Sequence, residues 1–366
     1  MGKVNDAGYP LHSTQFSVAA LLKQSEQWKD SMLGAFCFSA EAVKNQIQAA
    51  GNVPCMHVAM QRLDADDSVC EVWHGRGQLT RGQSGAIHYC YDEGALLGVI
   101  ELPEALFADI DKTPLQQATE SAYRQIFALL ERLRYPYLFR CWNYIADINA
   151  HSFGLERYRQ FNLGRQDAFL AHGRDVTGNV PAACAMGFGQ AGLVQGVLPT
   201  LHIAFLAGRA APQNIENPRQ ISAYQYPQEY GPRSPTFSRA SLACMGQDKV
   251  LFISGTASIV GHATLHPGNV VAQTRETIAN IKAVLDEANR QRCLASQPKL
   301  DLASLYYTVY VRHPADLAQI RTELARCAGD ALTAVYLQAD MCREDLLLEI
   351  EATAVYPQMH MPAQRV

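Results

Sequence analysis

The sequence predicts an α+β protein in which one unit, a mainly antiparallel sheet with helices packed on one face, is built twice. Three observations predict it. Short apolar runs broken by Gly, Asp and Ser fill 68–102 and read as antiparallel strands. An order of helix, strand, helix, strand, strand follows. A strand and then helix, strand, helix, strand, strand return after residue 240.

Residues 1–60 are mixed and carry weak signals. "SVCEVWHG", "GAIHYCYD" and "ALLGVIEL" are the first clear strands. The helix over 113–133 opens with a Thr N-cap and a Pro at its first position, and Ala118, Ala122, Ile126, Leu129, Leu130 and Leu133 form its apolar stripe. "YLFRCWNYIADI" is aromatic and branched, hence a strand. "GLERYRQFNLGRQDAFLAHG" is a second helix, and "PAACAMGF" and "LPTLHIAFLA" are strands.

In the second half, "KVLFISGTASI" is a strand and 268–289 an amphipathic helix through Val271, Ile278, Ile281, Val284 and Leu285. "SLYYTVYVR" is a strand, "PADLAQIRTELARC" a helix, and "LTAVYLQAD" and "LLLEIEATA" are strands. The long helices of the two halves align without gaps when Thr119 is laid on Thr274, Ile126 on Ile281, Ala128 on Ala283 and Leu130 on Leu285. The join, about 209–240, is rich in Pro, Tyr and Arg. So long an irregular stretch is more often a functional loop than spare chain. The expected division is an N-terminal domain over 1–215, a site loop over 216–240 and a C-terminal domain over 241–366.

Composition narrows the function. The 366 residues are 48% hydrophobic and 18% charged with a net charge of −4, and no basic run or Lys/Arg stripe suggests a nucleic-acid partner. The N-terminus lacks the apolar core of a signal peptide, and Asp6 stands where a myristoylation signal wants Ser or Thr. The longest apolar stretch is interrupted by Gln195, Pro199 and His202, so no membrane span and a cytoplasmic location are expected. None of the ten cysteines forms a CxxC, and their spacings do not suit zinc. Reduced thiols that pack as small apolar groups are expected.

"GFGQAG" at 187–192 matches GxGxxG, but Gly196 and Pro199 follow where a helix should begin, and a Gly-rich turn is the better reading. HExxH, GxSxG and P-loop motifs are absent. The basic residues are more informative. Arg140 lies inside an aromatic strand, Arg157, Arg159 and Arg165 share a helix with Tyr158, and Arg233 and Arg239 flank a rigid "GPRSPTF" turn. Singly each reads as solvated. Together they offer planar forks for a ligand with carboxylates, and Tyr224, Tyr226 and Tyr230 add phenol donors.

In "MCREDLLLEIEATA" (341–354), Leu346, Leu348, Ile350, Ala352 and Ala354 share one strand face, and Leu347, Glu349, Glu351 and Thr353 share the other. That second face either meets water, the favoured reading of the residues alone, or walls a pocket that needs an acid.

The segments "LFISGTASI", "VVAQTRETIANIKAVLDEAN", "LYYTVYV" and "LLLEIEATA", about 240–355, resemble the reactive-intermediate deaminase (Rid/YjgF) superfamily, with Glu349 at its site glutamate. Ala334 stands where those deaminases carry the Arg that holds an imino acid, which argues against simple deamination. Over roughly 118–353 the chain resembles a narrower group, the bacterial chorismatase and 3-hydroxybenzoate synthase family. "RYPYLFRCWNYIADIN", "GLERYRQFNLGRQDAF", "AYQYPQEYGPRSPTFSRA", "ISGTASIVGH" and "VYLQADMCREDLLLEIEA" carry this likeness.

The resemblance implies Rid-like units fused in one polypeptide as a pseudo-oligomeric barrel, with the cleft between units inside one chain. It implies chorismate as substrate, Glu349 as proton donor to the enolpyruvyl methylene, and a binding set of Arg140, Arg157, Tyr158, Arg165, Tyr224, Arg233, Gly255 and Gln338. It implies no metal or organic cofactor, and a product used for a pigment or another secondary metabolite. The hydrolytic branch is similar in carrying Cys where this chain has Gln338 and a larger residue where it has Gly255, so formation of 3-hydroxybenzoate and pyruvate is expected. The alternatives are hydrolysis to a dihydroxycyclohexadiene acid, or a non-catalytic protein that binds a small acid. A fused interface suits a monomer or a small homo-oligomer, and Glu351 keeps the solvated reading.

Overall fold

The computed structural model describes residues 11–39, 53–65, 68–107, 111–189, 199–291 and 298–356. The helices and strands expected after residue 68 form, with ends moved by a few residues. Thr113 caps the helix Pro114–Leu133 by accepting the Gln116 N–H at 3.2 Å. Asn269 caps Val270–Asn289 by accepting the Ala272 N–H at 3.0 Å. Thr119 and Thr274, matched in the alignment, are both fully buried, and each returns its hydroxyl to the carbonyl four residues back.

Three large sheets organise the chain. The middle one runs Ala182–Phe188, Tyr137–Ala146, Thr200–Gly208, Leu96–Pro103, Ile87–Tyr91, Thr80–Ser84. The last one runs Gln213–Ile215, Ala240–Met245, Asp248–Thr256, Leu348–Tyr356, Tyr306–Val311, Thr333–Gln338. Taken in chain order these are the same arrangement. In both, the final strand inserts at the centre, and a parallel pair forms the edge beyond it, reached through the second helix as a parallel crossover requires.

The first sheet runs His12–Phe16, Val69–His74, Met32–Phe38, Cys55–Val58. Its strand order repeats that of the last four strands of the other two, parallel edge pair included. A shortened third copy therefore precedes the two expected ones, inside the region whose sequence signals were weak. No sheet closes on itself among the described residues, so the expected barrel is three open sheets about a common core.

That core explains the strand sequences. Helices Pro114–Leu133 and Arg157–Ala171 cover the outer face of the middle sheet, and Val270–Asn289 and Leu317–Ala328 cover that of the last sheet. The inner faces meet in one cluster that joins Phe36, Phe38 and Trp73 to Phe139, Trp142 and Tyr144 and to Phe252 and Tyr310. Sheets buried on both faces need continuous apolar runs, which is why "MLGAFCF" and "LFRCWNYIA" lack polar alternation.

Two expectations change. Cys37 and Cys70 face each other across neighbouring antiparallel strands and are joined as a disulfide instead of standing as free thiols. The Gly-rich turn lies largely outside the described residues. Within them, Gly187, the last but one residue of its strand, exchanges two backbone hydrogen bonds with Asp340 of the last unit.

The cap on the long middle helix gives a direct check of this local reading. Thr113→Ala should lower stability by about 1 kcal/mol in urea unfolding without changing the helix content of the folded protein.

Candidate active site

The middle and last sheets meet along a seam. Strand Ala182–Phe188 abuts strand Asp248–Thr256, where the Ala183 N–H donates to Ser254 Oγ at 2.9 Å and the Ser254 hydroxyl donates to the Ser238 carbonyl at 2.6 Å. A cavity of about 470 Å³ opens beside the seam. Helix Arg157–Ala171 walls it with Tyr158, Phe161, Asn162 and Arg165, at spacings that share one helical face. The long loop after Ile215 supplies Tyr226, Tyr230, Phe237 and Arg239, and the segment before the terminal strand supplies Cys342 and Arg343.

Glu349 enters from the terminal strand. Alternation sends Leu348, Ile350, Ala352 and Ala354 under the helices of the last unit and turns Glu349 and Glu351 toward the common core. Both carboxyls are 5% exposed, so neither faces water, and the solvated reading of Glu351 is overturned. Burial first, and then the neighbouring Glu351, push the Glu349 pKa up to about 8, against the pull of Arg140, Arg239 and Arg343. The carboxyl is mostly protonated at neutral pH.

Gly255 makes this placement possible. A Cβ there would lie 1.9 Å from Glu349 Oε1, so the bare backbone leaves the carboxyl its space.

The sequence-predicted residues fall into two groups. Glu349, Tyr158, Arg165 and Gly255 line the cavity together. Arg165 is buried, with its guanidinium over the rings of Tyr123 at 5.0 Å and Phe169 at 5.5 Å. Its Nε and Nη2 find no acceptor in the protein. A cation held by rings and lacking an acceptor is a binding group in wait of an anion.

The others are elsewhere. Arg140 lies behind the cavity in the core and donates to Glu351. Arg157, on the far side of its helix, grips Glu104 through Nη1 at 3.0 Å and Nη2 at 2.5 Å, and its Nε donates to the Ala146 carbonyl. Arg233 is exposed, and Tyr224 is half-buried off the cavity wall. Gln338 sits on the edge strand of the last sheet, away from the cavity lining, and its backbone N–H donates to the Gln61 carbonyl.

Two further cations line the cavity: Arg239, one of the candidate forks though not in the implied binding set, and Arg343, which was in neither. Arg239 donates to the Tyr226 hydroxyl and to the Ile221 carbonyl, both at 2.8 Å, and keeps a buried Nε without an acceptor. Arg343 donates to the His262 carbonyl and Thr264 Oγ1, lies 4.1 Å over the ring of Tyr230, and keeps a buried Nη2 without an acceptor. The signal for Arg343 was in "MCREDLLLEIEATA", six residues before the acid.

Three guanidinium groups with spare donors line one cavity with a protonated carboxyl, an arrangement chemically able to bind a small carboxylate ligand and to supply it with a proton. The comparisons with known proteins then place the chain. Residues 71–207 match the family model "Chorismatase FkbO/Hyg5-like, N-terminal". A chorismatase of Streptomyces rapamycinicus is 37% identical over 292 residues, 78% of this chain and 82% of that protein. A 3-hydroxybenzoate synthase of Streptomyces hygroscopicus is 35% identical over 291 residues, 78% of this chain and 81% of that protein. A crystal structure of a chorismatase superposes with a TM-score of 0.77 at 29% identity, covering 94% of this chain and 97% of the other. The chain belongs to the chorismatase family.

The two kinds of arginine should separate experimentally. Arg157→Ala strands a buried Glu104 and should cost about 3–5 kcal/mol in thermal or urea unfolding. Arg165→Met removes no hydrogen bond within the protein. It should leave unfolding nearly unchanged while weakening binding of a carboxylate ligand by about tenfold or more, measured by titration calorimetry.

Proposed function

We propose that this enzyme cleaves chorismate to 3-hydroxybenzoate and pyruvate, with Glu349 delivering a proton to the enolpyruvyl methylene. The observation that carries this reading is the buried, protonated Glu349 on the wall of a cavity whose guanidinium groups lack acceptors. Chorismate brings two carboxylates, which answer Arg165 on one side and Arg239 with Arg343 on the other.

The steps balance without an added reagent. The Glu349 proton goes to the methylene carbon, the former double bond becomes a cation stabilised by the ether oxygen, and the ring carbon–oxygen bond breaks as pyruvate leaves. The neighbouring ring hydroxyl supplies its oxygen to the vacated carbon and loses its proton, which Glu349 takes back. That oxygen's first bond to the ring then breaks; the ring carbon that keeps the oxygen loses its hydrogen as a proton and the oxygen gains one, giving the phenol with no net change in protons. No water is consumed, so sequestration helps: Tyr158 and Cys342 near the acid are neutral, their ionisation opposed mainly by burial.

Hydrolysis to a diene diol is the second reading, favoured by the chorismatase name of two relatives. Gly255 supports the first. The hydrolytic branch is similar in carrying a larger residue there, and in this chain a Cβ would push the Glu349 carboxyl aside. Gln338 lies off the cavity wall, so Gly255 carries the argument for the product. Mass analysis of the product separates an aromatic phenol from a diene diol.

Glu349→Gln should reduce pyruvate release at least about a hundredfold, read by a coupled assay, while the fold is kept. Unaltered turnover would remove Glu349 from the mechanism. In the wild type, kcat/KM should fall as pH rises through about 8, where the free enzyme's donor loses its proton. Stability should carry the same signature. The folded state keeps the Glu349 proton up to about pH 8 while the unfolded chain releases it near the ordinary value of 4.5, so the acid's contribution to stability declines across that window. Glu349→Gln should therefore raise Tm relative to wild type at pH 8, and not at pH 4.5.

A further inference from the structure

Glu351 has no place on the cavity wall, yet it is buried two residues from the acid on the same strand face. Burial raises its pKa, and the Arg140 charge beside it opposes that rise. Arg140, from the middle sheet, is buried to 2% exposure with its guanidinium 5.2 Å from the Trp142 ring, and it donates to Glu351. A guanidinium does not give up its proton in a protein, so this one requires an anion. Glu351 is that anion. It also accepts from the Tyr310 hydroxyl at 3.1 Å and from the Cys184 thiol.

We propose that Glu351, pinned by Arg140, is a positioning residue for the proton donor: its fixed negative charge makes Glu349 the carboxyl that carries the proton and takes it back after each transfer. The inference rests on Glu349 being the donor. Side chains at i and i+2 on one strand face stand roughly 7 Å apart, and like charges at that range in a dry interior resist ionising together. A proton moved to Glu351 would strand Arg140, so the shared proton stays on the carboxyl that lines the cavity.

The remaining groups do not cancel this. Cys184, Cys342 and Tyr158 also face Glu349, and burial keeps them neutral. Arg239 and Arg343 face it from the loops and draw it toward ionisation. On the Glu351 side, Tyr144 meets Tyr310 at 3.3 Å, and Glu71 is engaged by His12 and the Trp73 indole N–H, both at 2.9 Å.

The test is the pH profile of kcat for pyruvate release from chorismate. With Glu351→Gln, Arg140 becomes an unbalanced positive neighbour of Glu349. The alkaline limb should move to lower pH by about one unit or more, with the plateau below it kept. A carboxylic-acid infrared band that is absent in Glu349→Gln should titrate in parallel without turnover. If the single variant does not fold, Arg140→Met/Glu351→Gln removes both charges, and its limb should move the same way by less. A limb that stays in place or rises, or a profile lowered uniformly, overturns the proposal. Retained turnover in Glu349→Gln would defeat the donor assignment itself. An inactive Glu349→Gln beside an unmoved limb would defeat only the role of Glu351.

Discussion

Glu349 keeps its proton at neutral pH only while three sheets close their inner faces over the strand that carries it. Burial is the largest cause of its raised pKa, and burial on that face exists because Phe36, Trp73, Trp142 and Phe252, drawn from all three sheets, fill the common core. A strand with one wet face would let the same carboxyl ionise near its ordinary value. The acid's chemistry thus depends on a packing arrangement made from every unit of the chain, including the shortened first sheet that contributes nothing to the cavity wall.

The seam between the middle and last sheets turns that packing into a site. Each sheet alone offers an apolar inner face and an edge strand with unpaired backbone groups. Pairing through Gly187 with Asp340 and through Ala183 with Ser254 satisfies part of those edges and fixes how the units sit. The cavity forms where helix Arg157–Ala171 and the loop after Ile215 overhang the seam. Its acid and its cations therefore come from different units, and their geometry is set by the core beneath and not by the loops alone.

Periodicity made the elements from residue 68 onward legible. Thr113 with Pro114, the Ile281 stripe and the run "LLLEIEATA" each state a local rule that packing then honours. The first sheet was not legible, because its described helices are only five residues long, too short for an apolar stripe to repeat. Glu351 was misread for a different reason: a period of two separates faces but does not say what covers them. Arginine roles were the least readable. Arg157 and Arg165 share a helix, but the first meets Glu104, 53 positions away, and the second meets no acceptor. Only the fold decides which guanidinium is already paired.

That division between satisfied and unsatisfied cations also bears on timing. Arg239 and Arg343 pull the empty-site Glu349 toward ionisation, while Glu351 and burial oppose them. A ligand that gives carboxylates to these guanidinium groups neutralises the pull and displaces water at the same time, and both effects favour the protonated acid. Under the proposed mechanism, binding would then raise the proton affinity of Glu349 at the moment a proton is needed. Arg140 stays outside this exchange because it lies off the cavity wall and pairs with Glu351, although its Nη1 finds no acceptor. The paired arginine sets a standing field, and the unpaired ones make that field respond to the ligand.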